Sequence, residues 1–193
     1  NSLYDFYYIK ANIQTSGNLI SALNNTSLVK TVDNYHEIFG IRYSQFIRFS
    51  FDFRYYRYVY KDNQIATRFM FGVGIPYGNS NEMPFEKSFY AGGPNGMRGW
   101  HFRELGPGTY NNSENINIEC IGDIQLEMNL EYRFTLKGVL KGAIFTDIGN
   151  IWTLKENETF KGGQFKFNTF YKQLAVDAGI GLRLDIGSFM LIR

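Results

Sequence analysis

From Asp123 to Phe134 the chain alternates without a break: Ile124, Leu126, Met128, Leu130, Tyr132 and Phe134 hold one parity, and Asp123, Gln125, Glu127, Asn129, Glu131 and Arg133 the other. Successive side chains of a strand point to opposite faces, so this pattern specifies a strand that is apolar on one side and charged on the other. At about 3.4 Å per residue and an inclination of about 40°, such a segment climbs about 30 Å, enough to cross an apolar layer of about 25 Å.

The same rule reads five further segments. Tyr7, Ile9, Ala11 and Ile13 oppose Tyr8, Lys10, Asn12 and Gln14. Between Tyr43 and Val59, Ile47, Phe49, Phe51, Phe53 and Tyr55 oppose Arg48, Ser50, Asp52 and Arg54. Ile65, Thr67, Phe69, Phe71, Val73 and Ile75 oppose Gln64, Arg68, Met70, Gly72 and Gly74. From Val139 to Trp152 the alternation is looser, with Leu140, Ile144, Ile148 and Trp152 against Lys141, Phe145, Asp147 and Gly149. From Lys172 to Asp185, Leu174, Val176, Ala178, Ile180, Leu182 and Leu184 oppose Gln173, Asp177, Gly179, Gly181, Arg183 and Asp185. A last strand begins in Ser188 to Arg193, for six to seven in all. Gly17 to Leu28 breaks the pattern and reads as a loop or a short helical turn.

Aromatic residues make up 18% of the chain and charged residues 20%. That balance suits an aromatic-rich soluble β-sandwich and a membrane barrel equally well. The connections separate the two. Only Thr135-Leu136-Lys137-Gly138 joins two of the strands, whereas 76–119 and Thr153 to Tyr171 are long, and segregated short and long loops belong to barrels that span an outer membrane. No run approaches the roughly 18 apolar residues of a membrane helix, so any spanning must be done by strands, and only a closed barrel satisfies their backbone in lipid. The expected fold is therefore all-β, an antiparallel transmembrane β-barrel with membrane lipids around it. Six to seven strands would leave lipid-exposed edges, and bacterial barrels begin at about eight, so residues 1–193 are expected to be one portion of a larger barrel domain. Asn1 leads straight into strand-like sequence with no hydrophobic leader, as in a mature or truncated product.

The longest connection carries Phe89-Tyr90-Ala91-Gly92-Gly93-Pro94-Asn95-Gly96-Met97-Arg98-Gly99-Trp100. Its glycines invite a phosphate-loop reading, but the G-x-x-x-x-G-K-[ST] spacing is absent and no amphipathic helix follows. The run resembles instead the inward-folded loop of the BamA/TamA family of outer-membrane assembly insertases, in which a Gly-Gly element precedes an apolar-Arg-Gly-aromatic tetrapeptide. Here the elements are Gly92-Gly93 and Met97-Arg98-Gly99-Trp100. Three downstream segments follow in the family's order: Glu131-Tyr132-Arg133-Phe134, Phe145-Thr146-Asp147-Ile148-Gly149-Asn150 and Gly179-Ile180-Gly181-Leu182-Arg183. Met97 and Trp100 replace the commoner aliphatic and Phe or Tyr while keeping size and character. The resemblance covers roughly Tyr43 to Arg193. It implies the C-terminal part of a barrel of about 16 strands, a loop over 76–119 folded into the bore, and a bacterial outer-membrane location. It also implies unfolded outer-membrane clients as partners, with upstream periplasmic domains and accessory assembly subunits.

If alternation turns Glu127, Glu131 and Asp147 into the lumen, confined carboxylates raise one another's cost of ionisation. An arginine delivered by a folded-in loop relieves it, because a guanidinium stays charged and can fork to two carboxylate oxygens. A lone loop arginine would ordinarily be solvated; the motif around Arg98 favours the clamp. A hairpin turning near residues 136 and 137 puts Glu127 almost opposite Asp147, while the family pattern singles out Glu131. The expected partners of Arg98 are Asp147 first, Glu131 second and Glu127 in reserve.

Enzyme chemistry finds no footing. Glu127 and Glu131, four positions apart on one strand, lie about 13 Å apart, beyond the range of about 5 to 9.5 Å that a glycosidase pair needs. His36 and His101 have no ligand neighbours at metal spacing, no nucleophile elbow occurs, and no cofactor is implied. The single Cys120 forms no internal disulfide. A formal charge of +2, without a basic stripe, argues against nucleic acid. The resemblance implies a barrel that inserts other barrels into the outer membrane by lateral opening. A polypeptide-exporting pore of the two-partner type or a passive porin are the alternatives, the first marked by a large loop-gated conductance and the second by indifference to the Arg98 motif.

Overall fold

A computed structural model of the chain describes residues 4–24, 26, 28–32, 34–60, 63–111, 118–186 and 190–192. Its strands are β1 (Phe6–Ser16), β2 (Val29–Val32), β3 (Tyr35–Ile38), β4 (Ile41–Arg42), β5 (Phe46–Tyr60), β6 (Asn63–Pro76), β7 (Ile124–Lys137), β8 (Leu140–Trp152), β9 (Ala175–Ile186) and β10 (Met190–Ile192). A single helical turn, α1 (Asn18–Ser21), follows β1. The long strands form one antiparallel sheet in the order β1-β5-β6-β7-β8-β9-β10, and β2, β3 and β4 make a small second sheet. No described helix is long and apolar enough to cross a membrane.

Sequence parity becomes facing through the register. Asp52 lies opposite Lys10 on β1 and Met70 on β6, Met70 opposite Glu127 on β7, and Asp147 on β8 opposite Asp177 on β9. One face of the sheet therefore gathers the polar set. The other carries Ile9, Met128, Leu130, Ile144, Val176 and Ile180, all exposed. A soluble sheet would cover such a face, since a contiguous apolar surface in water is costly; on a barrel it meets lipid. All the long connections leave from one end of the sheet, while the turns between β5 and β6 and between β7 and β8 lie at the other.

Gly17 to Leu28 holds the short helical turn α1, in keeping with the sequence reading. Several boundaries differ from that reading. The segment from Tyr43 joins the sheet only at Phe46, and Lys172 and Gln173 belong to a 3-10 turn (Phe170–Gln173) ahead of β9. Of the last expected strand, Met190–Ile192 pairs with β9, while Ser188, Phe189 and Arg193 lie outside the described residues. The β7–β8 turn falls on Gly138-Val139, with an irregularity between Thr135 and Lys137. Asp147 therefore faces Asn129, and Glu127 faces Gly149. The turn falls two residues later than expected and, with the irregularity, the partner of Glu127 moves from beside Asp147 to Gly149.

Candidate functional site

The segment between β6 and β7 lies against the polar face. Gly92 and Gly93 have φ of 104° and 95°, values that an L side chain rarely adopts, and they turn the chain so that Gly93 N–H donates to the Trp100 carbonyl at 2.8 Å. This closes a tight return around Met97. The Met97 side chain is fully buried in a cluster with Phe89, Ala91, Leu105, Cys120 and Ile151, and Trp100 packs on its margin. With apolar Met97 turned into the core between the loop and Ile151 of β8, its neighbour Arg98 reaches the carboxylates of the wall.

Arg98 is held by two strands at once. Its Nε donates to Asp147 Oδ2 at 2.8 Å and its Nη2 to Asp147 Oδ1 at 2.7 Å, a fork onto β8. Nη1 donates to Glu131 Oε2 on β7 at 2.6 Å, and the backbone N–H of Arg98 also donates to Asp147 Oδ2, at 3.1 Å. The guanidinium lies 3.5 Å from the Phe145 ring centroid. Phe145 is seated over Gly179, where a Cβ would meet its ring at 2.6 Å, so a bare position on β9 makes room for the ring on which the arginine stacks.

Neighbours complete the network. Asn129 Nδ2 bridges Asp147 Oδ1 and the Gly96 carbonyl, each at 2.9 Å. Arg133 Nε donates to Glu131 Oε1 at 2.6 Å, and Arg68, bonded to Asp52, donates from Nη1 to the Asn95 carbonyl at 2.6 Å. Asp147 is completely buried. A carboxylate in that position persists only when its lone pairs are filled and its charge matched, and Arg98 with Asn129 does both.

Asp147 and Glu131 are thus brought together on Arg98. Glu127 is not: among the described residues its carboxylate accepts from Gln125 Nε2 at 2.9 Å and lies against Gly96, where a Cβ would come within 2.9 Å of Oε2. The register displaces it, because it pairs with Gly149 and points at the loop's backbone. Phe145, Asn129, Arg133 and Asp177 take part without having been singled out from sequence. Parity put all four on the polar face, but which of them meet depends on the exact turn.

Elsewhere the loop folds on itself. The Arg103 guanidinium sits 4.6, 5.2 and 5.1 Å from the ring centroids of Phe85, Tyr90 and Phe102 and pairs with Glu119. Burial, helped by the charge of Glu104, pushes the Cys120 thiol up to about 11, so it stays protonated and inert at neutral pH. Among the described residues no group of three or more His, Cys, Asp or Glu could hold a metal ion.

A two-faced antiparallel sheet, apolar on one side, charged on the other and bonded there to a glycine-rich loop by Arg98 and its polar neighbours, has the build of a membrane-barrel wall. The sequence pattern of the Omp85 superfamily domain matches residues 16–193, and the chain belongs to that superfamily. It is similar to the outer membrane protein assembly factor BamA of Neisseria meningitidis serogroup B, 27% identical over 56% of this chain and 16% of that protein. The structure of BamA from Haemophilus ducreyi lacking POTRA domains 1–3 matches with a TM-score of 0.58 and 18% identity, covering 81% of this chain and 32% of that one. The fold is therefore that of part of a BamA-type barrel, and the chain spans about 16% and 32% of these two relatives. Omp85 barrels reside in the bacterial outer membrane, and this chain with them; the family is one of membrane barrels and not of enzymes, and its Neisseria member is by name an assembly factor.

Proposed function

We propose that this chain forms part of an outer-membrane insertase that opens its barrel laterally to admit unfolded β-barrel clients, and that Arg98 clamps the loop to the lumenal wall during that work. In this reading residues 1–193 form the C-terminal part of the barrel domain, 76–119 is its inward-folded loop, and periplasmic domains with accessory subunits deliver the client. Residues 112–117 of that loop lie outside the described residues. Free strand edges template incoming strands through their unpaired backbone groups, so an insertase needs an edge that can be exposed and a wall stiff enough to close again. The three-pronged bonding of Arg98 to Asp147 and Glu131 carries the proposal. It spans β7 and β8, and a loop tied to two strands stiffens that stretch of wall.

The test is Arg98→Ala in the full-length protein. Stranding a buried carboxylate costs about 3 to 5 kcal/mol, so the loop should become protease-sensitive and the folded amounts of other outer-membrane barrels should fall in cells depending on the variant. Unchanged client levels with a large new single-channel conductance would favour an exporting pore. Unchanged levels and unchanged loop protection would remove the clamp.

A further inference from the structure

Arg98 and Gly99 present consecutive backbone N–H groups to consecutive strands. Arg98 N–H donates to Asp147 on β8, and Gly99 N–H donates to Asp177 Oδ2 on β9 at 2.8 Å. Asp147 and Asp177 are cross-strand partners on the polar face, a like-charged pair directly opposite one another. The charge of Asp147 is met by Arg98. Among the described residues no ion pair reaches Asp177, and its Oδ1 is buried without a hydrogen-bond partner. Opposite Asp147, a carboxylate here costs the β8–β9 pairing something and gains it nothing. Its good contact is the loop amide. Position 99 is matched to it: a Cβ there would lie 2.8 Å from Asp177 Cβ and 3.1 Å from Oδ2, so the loop comes this close only as glycine.

We propose that Asp177 is a second anchor of the loop, a positioning residue that ties Gly99 to β9, so that one tetrapeptide holds β7, β8 and β9 together. Glu131 receives the first prong, Asp147 the fork and Asp177 the adjacent amide. The glycine of the arginine motif thereby gains a specific task, close approach to a third strand. Parting of β8 from β9 must break this bond as well as the sheet's own ladder. The inference rests on the reading of the loop as a clamp, and not on what the barrel inserts or exports.

Hydrogen–deuterium exchange on the full-length protein in detergent micelles tests it. Asp177→Ala should speed exchange of the Gly99 amide by roughly tenfold, the weight of one hydrogen bond to a charged acceptor, while amides along β7 and β8 keep their protection. Asp177→Asn retains an acceptor oxygen and should return Gly99 to within about twofold of the parent. Gly99→Ala, which displaces the amide with Asp177 intact, should expose its own amide as Asp177→Ala exposes Gly99. The proposal is overturned if Asp177→Ala leaves Gly99 protected, if the Asn variant behaves like the Ala variant, or if protection is lost along the whole β8–β9 ladder, which marks a purely structural aspartate. Arg98→Ala, run alongside, separates the two ideas. Loop release there with none in Asp177→Ala sinks the second anchor alone, and protection persisting in Arg98→Ala removes the clamp beneath it.

Discussion

Two arginines five positions apart in one loop do opposite work. Arg98 leaves the loop, and its side chain spends its donors on carboxylates of β7 and β8. Arg103 stays inside, ringed by Phe85, Tyr90 and Phe102, paired with Glu119 of the same segment, its carbonyl accepting from Cys120 N–H at 2.9 Å. The first fixes where the loop sits and the second fixes what shape it has. A docked loop needs both, because a fork only finds its carboxylate if the backbone presenting it is already folded. The chemistry differs accordingly. Arg98 meets a fully buried anion, where planar two-point bonding matters most, whereas Arg103 rests on ring faces, where a cation's position is less tightly set.

The sharpest way to break that comparison is to keep the charge of Arg98 and remove its fork. Arg98→Lys should release the loop nearly as far as Arg98→Ala, because one ammonium cannot serve two oxygens of Asp147 and Glu131 together; the measure is tryptic cleavage within 76–119, with an expected loss of about 2 to 4 kcal/mol in docking. A lysine variant with parental protection would mean that charge alone holds the loop. Smaller effects should follow from removing the acceptors one at a time. Asp147→Asn costs more than Glu131→Gln, because Asp147 takes both prongs of the fork and the Asn129 amide while Glu131 shares its charge between Arg98 and Arg133. Urea titration followed by heat-modifiable gel mobility should order them so, by about 1 kcal/mol or more.

How much of this was legible beforehand depends on whether a feature is local. β7 is readable as far as Phe134 because period two persists to that point, three residues short of its end at Lys137, and the two faces of the sheet follow from parity alone. The small β2–β4 sheet was not, because strands of two to four residues are too short to show a period. They are held instead by a distant side chain: Asn79 Nδ2 donates to the carbonyls of His36 and Tyr43, and its Oδ1 accepts from His36 N–H. The loop motif pointed to Arg98, and parity to a polar wall. The identity of its partners required the register, which the position of the β7–β8 turn decides. Parity therefore puts Glu127, Asn129 and Asp177 on one face without saying which of them the loop meets. Asp177 shared a face with everything important, but nothing in its own segment says that Gly99, 78 positions upstream, comes to rest beside it.

The least disruptive change is also the most discriminating. Arg103→Met keeps most of the apolar volume among the three rings and removes only the charge, so the expected cost is about 1 to 2 kcal/mol and confined to the loop. Amide exchange at Cys120 and Gly122, whose N–H groups donate to Arg103 and Phe89 carbonyls, should rise several-fold. The Arg98 and Gly99 amides should keep their protection, since the bonds to Asp147 and Asp177 do not pass through Arg103. If Arg103→Met also freed the Arg98 and Gly99 amides, docking and internal folding would be one cooperative event, and the division of labour between the two arginines would disappear. If only the Cys120 side loosened, the loop would consist of a fixed tip and a separately closing base. A barrel could then loosen its surface end without letting go of the wall.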